Sequence, residues 1–294
     1  MLMAEAKAEI KEKKPGLLRR ILEGIMRIPG EHKGFGKQTV MLAKQDLIKT
    51  YKGAALGPLW AVVKPTFQLF VYWFAFTIGI RNGDRLEMGV PFFTFLMIGF
   101  VPWFFMSDAI NRGSKSIRDN RQFVTKVSFP VSVIMTYTTL SKFYIHIFLF
   151  SLSFLYLTLS GVMPTLHCLQ ILIYAPLMFF FYLALLWSIA PMSAFSKDFS
   201  NLITTVMSGL FWLSGITYNS YTLDSDLLKW VLIANPITFF ANGYRKALIT
   251  HEWFFEGSFH PMWENGIFLL EFAFVIIFGI YNYNRLRKEM PDVL

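Results

Sequence analysis

The chain has 294 residues, is 54% hydrophobic and 18% aromatic, and carries only 16% charged residues, against about 25% in an ordinary soluble domain. Together with a mean hydropathy of +0.45, that balance excludes a soluble globular enzyme and requires a polytopic membrane protein. The net charge of +9 does not point to nucleic acid, because the basic residues flank apolar runs instead of gathering on one soluble face, the pattern that reports membrane topology.

Residues 1–57 read as a cytoplasmic segment with two amphipathic interfacial helices. In GLLRRILEGIMRI, Leu17, Leu18, Ile21, Leu22 and Ile25 share a helical face while Arg19, Arg20, Glu23 and Arg27 lie off it, as in a helix lying on a leaflet. Each basic residue near an anionic surface adds about 1 kcal/mol. A hinge (Pro29, Gly30, Gly34, Gly36) leads to KQTVMLAKQDLIKTYK, where Val40, Ala43, Leu47 and Tyr51 form a second apolar stripe. No short apolar core with a small-residue cleavage site is seen near the N-terminus, so the first span is expected to act as its own insertion signal.

Six apolar runs follow, at about 59–80, 91–110, 131–158, 169–193, 200–217 and 267–284. Each approaches the ~20 residues needed to cross roughly 30 Å of hydrocarbon. They are too long and too evenly apolar for barrel strands, which leaves helices as the spanning elements. The expected fold is all-α integral membrane: a six-span transmembrane domain over 58–288 and a cytoplasmic tail, 289–294. The first run, LGPLWAVVKPTFQLFVYWFAF, starts at a Gly-Pro break and is crowded with rings: Trp60, Phe67, Phe70, Tyr72, Trp73, Phe74 and Phe76. Leu and Ile would meet lipid equally well, so the rings leave a second role open, such as lining a path for sugar.

Segments on one side of the six runs hold 21 Lys and Arg residues, those on the other only five. The positive-inside rule puts both termini in the cytoplasm. The connection 217–266 is then external, and its piece KWVLIANPITFFANGYRKALI is apolar but broken at Asn235-Pro236 and Asn242-Gly243. It is expected to form two re-entrant half-helices, since irregular backbone at membrane depth survives only inside protein or beside a cavity.

Catalytic motifs are missing. GEHKGFGKQT lacks the spacing and the Lys-Ser/Thr end of a phosphate-binding P-loop. Asp224-Ser225-Asp226 has a DxD form but is expected to be external. The five histidines fit no metal spacing, no HExxH or G-x-S-x-G occurs, and the single Cys168 makes no intrachain disulfide. Lys64, Asp108, Lys142, His146 and Glu271 lie inside or at the edge of spans, where a charge costs about 2.5–3.5 kcal/mol on insertion scales. They are therefore expected to face a bundle interior or water, or to snorkel. No chain of acidic groups marks a proton relay.

The order of local motifs then matters. LAKQDLIKTYKGAALGPLWAVVKPTFQLFVYWFAF resembles the pattern R-D-[LI]-x-x-[RK]-Y-x-x-[STA]-x-L-G-x-L-W of permease subunits in the ABC exporters for lipid-linked polysaccharide, O-antigen and teichoic acid. Asp46, Leu47, Tyr51, Leu56, Gly57, Leu59, Trp60 and Pro65 match, with Gln45 in place of the usual Arg. IGFVPWFFMSDAI, DNRQFVTKVSFP, SKDFSNLI, FWLSGITYN and ANPITFFANGYRKAL are similar to later motifs of that family, in the same order. The resemblance covers about residues 38–288, and the Ser-Gly-Ile form of the fifth-span motif leans toward the teichoic acid branch.

The resemblance implies a bacterial cytoplasmic-membrane homodimer with a separate ATPase subunit that binds ATP and Mg; this chain itself would need no cofactor. The cargo would be a glycan on a polyprenyl diphosphate, of the undecaprenyl type. The alternative is the same architecture serving a drug or another lipid. The Leu56-Gly57 turn would admit the lipid head, and the loop 112–127, with Arg118, Asn120, Arg121 and Lys126, would seat on the ATPase. Lys49, Lys52 and Lys64 are expected to draw the diphosphate, and Trp60, Phe67, Trp73, Phe74, Phe211 and Trp212 to line the glycan path at the dimer interface.

Overall fold

The structure, a computed structural model, describes residues 26–80, 83, 86–127, 129–257, 261–290 and 294. Helix α1 (Gly36–Tyr51) ends before Gly53, whose φ of +84° turns the chain sharply. A 3-10 turn, Gly57–Leu59, with Pro58 in it, feeds α2 (Trp60–Phe74), which continues as a π-helical turn, Ala75–Ile80. A minimal antiparallel hairpin, Leu86–Glu87 with Val90–Pro91, precedes α3 (Phe92–Gly113). Short helices α4 (Ser116–Asp119) and α5 (Arg121–Thr125) connect it to α6 (Val131–Leu159). Helix α7 (Ile171–Phe195) and α8 (Lys197–Trp212) are separated by one residue. Then come α9 (Asp226–Ile233), α10 (Pro236–Arg245) and α11 (Pro261–Leu286).

Among the described residues five stretches are long and apolar enough to cross a membrane: Gly57–Ile80, Phe92–Gly113, Val131–Leu159, Leu166–Phe195 and Pro261–Leu286. The run expected as a fifth span, 200–217, is instead α8. Its 16 residues give a rise of about 24 Å, and the chain leaves the helix after Trp212 to turn through Gly215 at φ +63°. Helix α3 is the hub: 78% of its apolar window is buried, against 11% for the span built on α2. Phe92, Phe95, Phe100 and Phe105 of α3 are all buried. Helices α7 and α11 approach closely because Gly279 has no side chain; a Cβ there would meet the Ala184 carbonyl at 2.5 Å.

The amphipathic segment 17–25 lies outside the described residues, and 26–32 is helical. Glu31 joins this stretch to the far end of the chain. It accepts hydrogen bonds from Ser132 Oγ at 2.5 Å and Tyr283 Oη at 2.6 Å, and it pairs with Arg287. In α1 the buried face is Thr39, Ala43 and Asp46, whereas Val40 of the expected stripe is exposed. Asp46 sets this rotation by accepting from Ser141 Oγ at 2.6 Å and standing 3.6 Å from Arg112. Two short helices occupy the broken region after α8, but the expected break at Asn242-Gly243 is absent. Helix α10 runs straight through it, with Gly243 beneath the Tyr174 ring and Asn242 donating to Ser220 Oγ at 2.8 Å. The Asp224-Ser225-Asp226 triplet is a helix start: Ser225 caps α9 and Asp226 lies 3.5 Å from Lys229.

Candidate functional site

Helices α2, α3, α6 and α8, with the end of α1, line a half-open cavity of about 770 Å³. Helical periodicity decides which side chains reach it. From α2 the stripe is Trp60, Lys64, Gln68 and Tyr72, each four residues on from the last. Pro65 sits inside α2 and deprives the Ala61 carbonyl of its helical donor, and both residues line the cavity. Helix α3 contributes Phe104, Asp108 and Arg112, the link to α4 contributes Lys115, helix α6 contributes Lys142 and His146, and α8 contributes Ser208, Phe211 and Trp212. Four side-chain cations thus face one carboxylate, with rings around them.

The rings form a continuous cluster. Phe211 packs on Trp103, Tyr72 and Phe100 at centroid distances of 5.1, 5.3 and 5.6 Å, and Tyr72 also meets Trp212 at 6.1 Å. His146 is held on the far wall by Tyr244 Oη, 2.8 Å from its Nε2. Tyr51, at the end of α1, is pushed above the usual tyrosine pKa first by burial and then by the Asp108 carboxylate. It therefore remains a neutral hydroxyl at physiological pH.

Of the expected path residues, Trp60, Phe211 and Trp212 line this cavity, as does Lys64. Phe67 and Phe74 are 67% and 50% exposed on another face of α2, and Trp73 is half-buried against Phe93. Lys49, Lys52 and Leu56 are exposed and Gly57 half-buried just before α2, near the cavity-lining Thr50, Tyr51 and Ala54. In the connecting loop, Arg121 and Lys126 are exposed. Arg118 is engaged internally, donating to the Ser193 carbonyl at 3.1 Å and to Ser200 Oγ at 2.9 Å. Asn120 donates to the Ser116 carbonyl at 2.8 Å between α4 and α5. Arg118 therefore ties this loop to the α7–α8 junction, a role its position in a basic loop did not disclose.

The largest feature missed from sequence is Arg245. It is 1% exposed, donates to the carbonyls of Gly215 at 2.8 Å and Ile216 at 2.6 Å, and stacks 3.7 Å over the Phe95 ring. Asn235 takes the Leu213 carbonyl at 3.0 Å, Tyr218 Oη that of Trp212 at 3.3 Å, and Ser214 Oγ that of Phe211 at 2.6 Å. A helix end leaves four carbonyls without intrahelical partners, and here side chains from α10 and the turn supply the donors. The one available signal was the pairing of SGI with an NP…YR run.

Fold and cavity together define a multi-pass helical membrane protein with an internal, cation-bearing, ring-walled space. The chain belongs to the ABC-2 type transporter family, whose sequence profile matches residues 37–249. It is similar to the O-antigen export system permease protein RfbA of Myxococcus xanthus, at 25% identity over 214 residues, covering 72% of this chain and 80% of that protein. A protein of the same name from Klebsiella pneumoniae is 22% identical over 259 residues, covering 87% of this chain and 94% of its own. The teichoic acid lean drawn from Ser-Gly-Ile finds no counterpart in the names of these relatives.

Proposed function

We propose that this chain is the permease subunit of an ATP-driven exporter that moves an O-antigen-type polysaccharide on undecaprenyl diphosphate across the bacterial cytoplasmic membrane. The observation that carries the reading is the cavity, which joins ring walls to four cations. A glycan's hydroxyls and a diphosphate's charge are costly to strip of water. Ring faces suit the C–H faces of sugars, and cations suit phosphate. The lipid head enters beside the Leu56-Gly57 turn, next to Lys49 and Lys52, and meets Lys64 on the cavity wall. Similarity to the O-antigen permeases supports this cargo over a drug or an unrelated lipid.

The chain works as a homodimer. The span built on α2 is largely unburied and offers Phe67, Phe70 and Phe74 to a second copy, with the glycan path alongside. Both described ends of the chain meet at Glu31 and Arg287, which supports an even number of crossings. Helix α8 is then the fifth of six crossings in chain order, shortened and completed by the Leu213–Ile216 turn, with α9 and α10 re-entrant from outside and both termini cytoplasmic. Energy comes from a separate ATPase holding ATP and Mg, and the exposed Arg121 and Lys126 contact it.

The reading is tested in a strain lacking its own O-antigen permease, supplied with this chain and with ABC ATPase subunits from its own organism. Surface polymer is expected to return; polymer trapped inside with the protein correctly inserted overturns the reading. In that strain, charge reversal at both loop cations (Arg121→Glu, Lys126→Glu) is expected to cut export at least about tenfold while leaving the permease folded, measured as surface polymer per inserted permease. Full export by that variant removes the loop from the ATPase contact.

A further inference from the structure

Lys142 is the most deeply set of the cavity's cations. The residue is only 5% exposed, sits well within α6, and its side chain opens onto the cavity. Among the described residues it makes no hydrogen bond and no ion pair. An ammonium held this deep without a partner is costly, and Leu or Met would pack at such a place without that cost. Asp108 lines the same cavity from α3, yet among the described residues it closes no ion pair with Lys142. Asp108 and Arg112, four residues apart on α3, line the same cavity, as do Lys115 just before α4 and Lys64 of α2. Rings of Trp60, Tyr72 and Trp212 line the same cavity.

We propose that Lys142, with Lys64 on the wall of the same cavity, forms an anion subsite that takes the phosphate groups of the carrier lipid there, and that Asp108 keeps that hold weak enough for release. This rests on the export reading above for the identity of the anion. A transport path must bind well enough to admit its cargo and loosely enough to let it go. A lone buried ammonium supplies the first property. A carboxylate beside it, repelling the same phosphate, supplies the second.

A plain structural pair between Lys142 and Asp108 makes a different forecast, which gives the test its discrimination. If the two residues only stabilise each other, neutralising either one acts in the same direction. If they form a subsite, the signs oppose. The full chain in phosphatidylcholine nanodiscs is titrated calorimetrically with inorganic pyrophosphate, with farnesyl diphosphate and with farnesol. Lys142→Gln is expected to weaken pyrophosphate and farnesyl diphosphate about tenfold, and Lys142→Arg to retain most of the affinity. Asp108→Asn is expected to tighten both ligands by about threefold or more, since one repelling charge is gone.

Unchanged affinity in Lys142→Gln overturns the proposal, and so does equal weakening by Lys142→Gln and Asp108→Asn. Equal binding of farnesol and farnesyl diphosphate overturns it as well. Nanodiscs containing phosphatidylglycerol separate the carrier's phosphate from bulk anionic lipid: abolished diphosphate binding there assigns the site to the bulk headgroup and overturns the carrier assignment. Where Lys142→Gln does not fold, Asp108→Asn decides alone, tightening in favour and weakening against. Lys142-dependent diphosphate binding without polymer export sinks the O-antigen reading and leaves the subsite standing; export with Lys142-independent binding does the reverse.

Discussion

Replacing Arg245 by Ala is expected to lower the stability of the purified protein by about 3–6 kcal/mol, from two charged hydrogen bonds worth roughly 1.5–3 kcal/mol each. That is a large share of the ~5–15 kcal/mol that holds a typical domain together. The guanidinium is wholly buried and is the donor to the Gly215 and Ile216 carbonyls. Without it those carbonyls lose their guanidinium donor, and the turn that follows α8 is no longer fastened to α10. Lys in its place offers one compact charge in place of a planar fork and is expected to restore only part of the loss. Gly99→Val is expected to act like Arg245→Ala, because a Cβ at Gly99 would come within 2.5 Å of Arg245 Nη2. A long side-chain tip can usually move aside, but this one is pinned by two carbonyls and the Phe95 ring. Thermal unfolding followed by fluorescence-detected gel filtration measures all three variants. An Arg245→Ala midpoint within a degree or two of the parent rules out the clamp.

The second large effect is expected from the inner rings. Trp60→Ala with Trp212→Ala should reduce surface polymer about tenfold or more per inserted permease, since each ring contact contributes roughly 0.5–1.5 kcal/mol. Both indoles line the cavity while remaining 41% and 54% exposed, so the fold should survive their loss. Phe211→Ala is a poorer probe: that ring is buried under Tyr72, Phe100 and Trp103, and its removal should cost about 3–5 kcal/mol of stability. Phe67→Ala with Phe74→Ala touches rings outside this cavity and is expected to act on dimer formation, read by cross-linking. Undiminished export in the Trp60/Trp212 variant would exclude these rings from the path.

Much of the fold was legible without coordinates. The five long helices fall where the apolar runs lie, because a chain in lipid must satisfy its backbone internally and has few ways to do so. Lys64, Asp108, Lys142, His146 and Glu271 stood out as costly charges in apolar runs; the first four line one cavity, whereas Glu271 lies on α11 and is not among its lining residues. What stayed illegible depends on rotation and on partners far along the chain. Trp60, Phe67 and Phe74 recur at sevens along α2 and look equivalent in sequence, yet only Trp60, at the margin of the Lys64–Gln68–Tyr72 stripe, reaches the cavity. Asp46 resembled one polar residue among many in an interfacial helix until Ser141, 95 positions away, proved to be its donor.

The sequence alone therefore determined the class of molecule and the position of its long helices, since these follow from local composition and from the cost of unpaired polar groups in lipid. Only the tertiary structure decided which face of each helix turns inward, where α8 ends and which of the cavity's cations is set deepest. Those outcomes depend on the packing of side chains from distant elements, on Gly99 making room for Arg245 and Gly279 letting α11 lie against α7, and no local pattern encodes a contact between them.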